Sequence, residues 1–215
     1  MLNVHLKSQL QGFTLIELMI TITILAILLG VAVPSFQTWF QNIQIRNAAE
    51  SVTNGIQRAR AEAVTRNTTV RFQFTNNLGN TCALSTTSTN WVVSQDNPAN
   101  ACDSAASDTV APRLIQTRAA SEGSLNAIVA TATLKADGTA ATAVFDGSII
   151  FDGLGRVTAP AGDAATVTID VSNPTGGGCA TAAGPMRCLR IEISVPGGQA
   201  RMCDPAKPAT SPQGC

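Results

Sequence analysis

Gly12 to Phe36 reads GFTLIELMITITILAILLGVAVPSF, and a single carboxylate, Glu17, stands in a run that is otherwise apolar or hydroxyl-bearing. Leu15 to Val33 is long enough to cross a bilayer, which takes roughly 20 mostly apolar residues. A secretory signal, with Lys7 as its basic start, has the same outline. Against that reading, the nearest small-x-small triplet, Gly30-Val31-Ala32, lies inside the run, so cleavage there would cut a helix in half.

The apolar pattern continues past Pro34. Ile45, Ala48 or Ala49, Val52, Ile56, Ala59 and Ala63 recur at three- and four-residue steps, with Arg46, Glu50, Arg58, Arg60 and Glu62 mostly between them. The pattern predicts one helix from about Phe13 to about Thr65, roughly 80 Å at about 1.5 Å per residue. Its first half is apolar all round and suits lipid or a helical bundle. Its second half has one apolar stripe and suits packing on a domain. Pro34, with Gly30 just before it, is expected to break or bend the helix at the join.

Composition narrows the function. Fourteen Lys and Arg balance fourteen Asp and Glu in 215 residues, so any affinity for nucleic acid or anionic lipid must be local. The one histidine, His5, precedes the apolar run. A Ser-His-Asp triad or a histidine metal site is therefore not expected, and neither is a metal, a cofactor or an enzyme activity. Cys82, Cys102, Cys179, Cys188, Cys203 and Cys215 all lie beyond the run, and no two form a C-x-x-C pair. An even count after a membrane-targeting segment fits disulfides in an oxidising compartment. Pairing of sequence neighbours gives Cys82 with Cys102, Cys179 with Cys188 and Cys203 with Cys215; one pair left as free thiols is the other possibility.

From Asn67 onward short alternating runs are broken by Gly, Pro, Asn and Ser. Val70, Phe72 and Phe74 alternate with polar residues, and Leu189, Ile191, Ile193 and Val195 alternate with Arg190, Glu192 and Ser194. Strands are also expected at Trp91 to Ser94, Ala127 to Ala130, Ser148 to Phe151 and Ala165 to Val171. Asp137-Gly138, Asp146-Gly147 and Asp152-Gly153 are turn signals. Ser85 to Asn90, Asn97 to Pro112 and Ser172 to Gly184 read as surface loops. The expected fold is α+β, with an antiparallel sheet over the apolar stripe of the helix. Neither Gly153-x-Gly155 nor Gly176 to Gly178 has the flanking residues of a phosphate-binding loop.

Gly12-Phe13-Thr14-Leu15-Ile16-Glu17-Leu18, with the apolar run and Pro34 behind it, resembles the type IV prepilin signature. The resemblance implies a leader at residues 1–12, cut after Gly12 by a prepilin peptidase, and N-methylation of Phe13. It implies an apolar transmembrane and filament-core half at residues 13–40, and a periplasmic pilin domain at 41–215. A lone acid at the bilayer centre costs about 2.5 to 3.5 kcal/mol and usually has a partner. The pilin resemblance supplies one: Glu17 would face the ammonium of Phe13 in a neighbouring subunit and set the register of packed helices.

Ile149-Ile150-Phe151-Asp152-Gly153-Leu154-Gly155-Arg156-Val157, and Ile191-Glu192-Ile193 leading into Gly197-Gly198-Gln199-Ala200-Arg201-Met202-Cys203-Asp204-Pro205, resemble the GspH/FimT-like minor pilins. That implies a subunit held first in the inner membrane and then in an extracellular pilus. Its implied partners are the major pilin, other minor pilins and the assembly platform. A minor pseudopilin of a type II secretion system shares the same N-terminus and fold. DNA-binding members use a C-terminal loop, Gly-Arg-x-Arg-Arg. Here Gly198 and Arg201 match, and Gln199 and Met202 replace the other arginines. Arg187, Arg190, Arg201 and Lys207 could gather into a basic patch for DNA, or stand apart as solvated charges.

Overall fold

A computed structural model describes residues 12–160 and 162–215, with the side chains of 31–35 outside the description. The expected leader falls on residues 1–12, so all of it but Gly12, with His5 and Lys7, lies outside the described residues.

One helix, α1 (Leu15–Arg66), runs without interruption through Pro34. The expected break is therefore corrected. Proline forfeits one backbone hydrogen bond, and the unbroken turns above and below hold the helical path through it. The start is capped by Thr14, whose hydroxyl accepts from Glu17 N–H at 3.3 Å and whose carbonyl accepts from Leu18 N–H at 3.2 Å. At the other end Asn67 takes a left-handed conformation (φ 47°), and Thr68 N–H reaches back to the Ala63 carbonyl at 3.2 Å. That geometry closes a helix, and asparagine tolerates it.

The chain divides into a unit ending at Gln37 and a second unit, Thr38–Cys215. The expected division at 40/41 falls slightly later. In the second unit Ile45, Ala48, Ala49, Val52, Ile56, Ala59 and Ala63 are all buried. They form the stripe that the three- and four-residue spacing predicts. Each fully buried Val or Ile contributes about 1.5–3 kcal/mol, so the stripe is a large share of what holds helix to sheet. Gly55 sets how close they come. A Cβ there would lie 2.7 Å from a Phe72 ring carbon and 3.1 Å from the Trp91 indole.

Two antiparallel sheets, rather than one, lie against this stripe. The first is ordered β3-β2-β1-β5-β6, from β1 (Val70–Thr75), β2 (Asn90–Ser94), β3 (Leu114–Arg118), β5 (Ser148–Phe151) and β6 (Val157–Ala159). The second is ordered β4-β7-β8-β9, from β4 (Ile128–Leu134), β7 (Thr166–Ser172), β8 (Leu189–Ser194) and β9 (Ala200–Cys203). Phe72, Phe74, Trp91, Ile149 and Phe151 from the first sheet join Val167, Ile169, Ile191 and Ile193 from the second in one core with the helix. Strands β3, β6 and β9 were not anticipated.

The outer face of the first sheet is covered too. Val92 and Leu114 pack with the Cys82–Cys102 disulfide and Leu78, so the loops after β1 and β2 fold back over the sheet. Below this cover Gln73, Thr75 and Ser148 are buried with side-chain oxygens that have no hydrogen-bond partner among the described residues. Cys179–Cys188 and Cys203–Cys215 complete the sequence-neighbour pairing. None of the six cysteines is free.

Candidate functional site

The described apolar side chains of the first unit are exposed. Phe13 is 82% exposed, and Leu15, Ile16, Leu18, Met19, Ile20, Ile22, Ile24, Leu25, Ile27, Leu28 and Leu29 are all exposed. The hydroxyls in this run are satisfied within the helix. Thr21 donates to the Leu18 carbonyl at 2.8 Å and Thr23 to the Met19 carbonyl at 2.7 Å. That leaves the Glu17 carboxylate as the charged group of the run, exposed and in no ion pair among the described residues. A charge on a helix with apolar residues all round needs a partner once water is removed. Glu17 also stands three residues after the helix-capping Thr14, the Thr-x-x-Glu spacing of a capping box, and near a helix N-terminus negative charge is favourable. The spacing is legible in the sequence itself. Among the described residues no helix is long and apolar enough to cross a membrane. The apolar run of the sequence continues into residues 31–33, whose side chains are outside the description.

In the second unit the candidate basic residues do not form an open patch. The β7–β8 register sets Arg190 opposite Asp170, and the guanidinium grips that carboxylate with two bonds of 2.7 and 2.9 Å. Those bonds raise the Arg190 pKa further above its usual value. The β8–β9 register sets Arg201 opposite Glu192 at 2.9 Å. Arg187 meets Asp204 at 3.0 Å, and Lys207 donates to the Gln213 side chain. Three of the four cations thus face a carboxylate, and phosphate would have to compete with it. This corrects the open basic patch that the sequence allowed.

Glu192 lies near Cys203 and Cys215, a grouping that superficially suits a metal. Both sulfurs are spent in the Cys203–Cys215 disulfide, which leaves one carboxylate, itself paired to Arg201. The three Asp-Gly turns behave as turns. Gly138 and Gly147 have positive φ, and Asp152 accepts from the Leu154 and Arg156 N–H groups, which lowers its pKa. Gly153 packs on the helix cap, where a Cβ would sit 2.6 Å from the Asn67 side-chain oxygen.

Two clefts flank β9 where it runs beside α1. The lower, about 460 Å³, includes Asn42, Ile43, Arg46, Arg187, Leu189, Met202 and Asp204. The upper, about 640 Å³, includes Gln57, Arg60, Ala61, Val64, Gly198 and Ala200. Arg60 donates to the Gly155 carbonyl at 3.0 Å and meets no carboxylate among the described residues.

Comparison with known proteins places these features in a family. Residues 8–33 match the prokaryotic N-terminal methylation motif, and residues 48–197 match the family described as type II transport protein GspH. No curated protein matches the chain in sequence. Two crystal forms of the Pseudomonas aeruginosa type IV minor pilin FimU are similar in structure. One is 15% identical with a TM-score of 0.43, covering 79% of this chain and 98% of that one. The other is 17% identical with a TM-score of 0.40, covering 80% and 94%. The GspH match takes in α1 from residue 48 onward and strands β1 to β8, and the methylation motif takes in Gly12, Phe13 and Glu17. On that extent of agreement, the chain belongs to the GspH family and carries the prokaryotic N-terminal methylation motif at its head.

Proposed function

We propose that this chain is a minor pilin whose work is assembly rather than chemistry. A prepilin peptidase removes residues 1–12, and Phe13 becomes the methylated N-terminus. Residues 13–40 then serve two solvents in turn, the inner membrane before assembly and the helical core of a filament after it. The domain from residue 41 onward stays in the periplasm and later on the filament surface. Glu17 pairs with the N-terminal ammonium of a neighbouring subunit, so only one axial register leaves no charge unpaired in the apolar core. The partners on this reading are the other minor pilins, the major pilin and the inner-membrane assembly platform.

One observation carries the proposal. The apolar residues of the helix from Leu15 to Leu29 are exposed, with one acid among them whose carboxylate has no ion-pair partner among the described residues, in a chain bearing the methylation motif. Counting surface pili in a retraction-blocked strain that lacks this gene, beside the complemented strain, tests it. Loss of pili that returns on complementation is expected for a subunit that helps to start assembly near the tip.

The family description favours a second reading, a minor pseudopilin in a type II transport filament. Normal piliation together with periplasmic retention of secreted proteins would move the assignment there. DNA capture has less behind it, because Arg187, Arg190 and Arg201 each face a carboxylate.

A further inference from the structure

Strand β9 ends the second sheet, and no strand among the described residues pairs with its outer edge. The Ser194 N–H donates to the Gln199 carbonyl at 3.0 Å and the Gln199 N–H to the Ser194 hydroxyl at 3.2 Å, so the two residues turn their backbone groups toward each other. Successive residues of an antiparallel ladder alternate in the direction of their backbone groups. In the observed register Arg201 and Cys203 therefore bond to β8, while Ala200, Met202 and Asp204 turn their N–H and C=O groups outward. The outward N–H of Asp204 confirms the alternation, because it donates to the Gln213 carbonyl at 2.7 Å. There the chain's own C-terminal segment lies parallel to β9, with Asp204 bridged to Gly214. No such segment reaches Ala200 or Met202, whose outward groups have no backbone partner among the described residues.

Beside these groups lie the two clefts between β9 and α1, one at each end of the open edge. The side chains of Ala200 and Met202 share the face of Ile193 and Ile191 and point toward the helix. With Ile43 at the lower end and Ala61 and Val64 at the upper, they give an extended segment apolar footholds on alternate residues. The upper end carries Arg60, a guanidinium that donates to the Gly155 carbonyl and faces no carboxylate among the described residues.

We propose that the open edge of β9 receives an extended, acidic segment of a neighbouring filament subunit, which adds as a fifth strand beside Ala200 and Met202 and sets a carboxylate on Arg60. Main-chain bonds would hold the strand, as in other strand additions, and the clefts and Arg60 would select its side chains. The inference rests on the proposed place in a filament.

The first test needs no variant. Deuterium uptake at the Ala200 and Met202 amides is compared between the full chain in detergent micelles and the same chain in sheared filaments. Slowing by at least about tenfold in filaments is expected, since paired strand amides open far less often than free ones. Equal exchange in a filament that contains the subunit overturns the proposal. The second test is Met202→Pro, which removes an outward N–H and takes no bond from the β8–β9 ladder, a change that edge strands accept. With unchanged melting and intact disulfides, this variant is expected to be lost from filaments, whereas Met202→Leu assembles normally. Normal incorporation of Met202→Pro overturns the added strand alone. Absence of the unmodified chain from all filaments overturns both the strand and the filament assignment.

Discussion

Ile24 and Ile56 share one helix, one residue type and one backbone geometry, yet Ile24 is 53% exposed and Ile56 is fully buried. The two halves of α1 differ in what lies opposite them. The later half faces Phe72, Trp91 and Ile191 of its own sheets, so its apolar stripe is one-sided and every other position is free to be charged. The earlier half is apolar all round, which is the pattern of a helix meant to be surrounded. An amphipathic helix states its partner's direction in its own sequence; a helix apolar on every face states only that something surrounds it.

The largest expected effect separates the halves by stability. Ile56→Ala should lower the unfolding free energy of the Thr38–Cys215 unit by about 2–5 kcal/mol, the usual cost of emptying a packed site. Ile24→Ala should leave the domain's denaturant midpoint within about 0.5 kcal/mol. Urea titration of the full chain in micelles reads both. A large loss at Ile24 would mean that the earlier half packs on its own domain.

Gly55 sharpens the same contrast. Glycine inside a helix normally gives way to alanine with a gain of about 1 kcal/mol. Here the added methyl meets Phe72 and Trp91, so Gly55→Ala should instead destabilise by about 1–3 kcal/mol. Gly30 has nothing within 4 Å of its Cβ position, and Gly30→Ala should show no such loss of domain stability. Thermal melting distinguishes the pair, and a raised melting temperature for Gly55→Ala would show that helix and sheet are further apart than described.

The smallest effect belongs to a surface loop of the domain. The Thr142 hydroxyl, backbone N–H groups and Lys135 hold the Asp163 carboxyl down at about 2. An acid depressed in the folded state contributes stability above its ordinary pKa of about 4 and loses it as pH falls toward about 2. Asp163→Asn should therefore melt slightly lower than the parent at pH 7. The gap should close on acidification to about pH 2, and a constant gap across that range would contradict the assignment.

The sequence carried the domain half of the helix to within a residue or two, because three- and four-residue spacing is a local signal. Strand β8 was equally readable from the alternation of Leu189, Ile191 and Ile193. The cysteine pairing followed chain proximity. The missed strands share a cause: β6 is three residues, β3 has one buried position, and β9 has only Cys203 buried. An edge strand is defined by its neighbour more than by its own pattern. The split into two sheets was unreadable for a related reason, since alternation gives a strand's faces and not its sheet. Arg190 looked like a free cation until long-range register set it opposite Asp170. Pro34 misled in the other direction, because a local breaker signal was overridden by the helical turns on both sides of it.

Glu17→Gln measures the central claim most directly, by comparing the amount of subunit in the membrane with the amount in sheared filaments. The variant keeps the shape of the side chain and removes only the charge. It should reach the membrane at parental levels and be absent, or nearly so, from filaments. Incorporation equal to the parent would contradict the account, because the acid would then set no register.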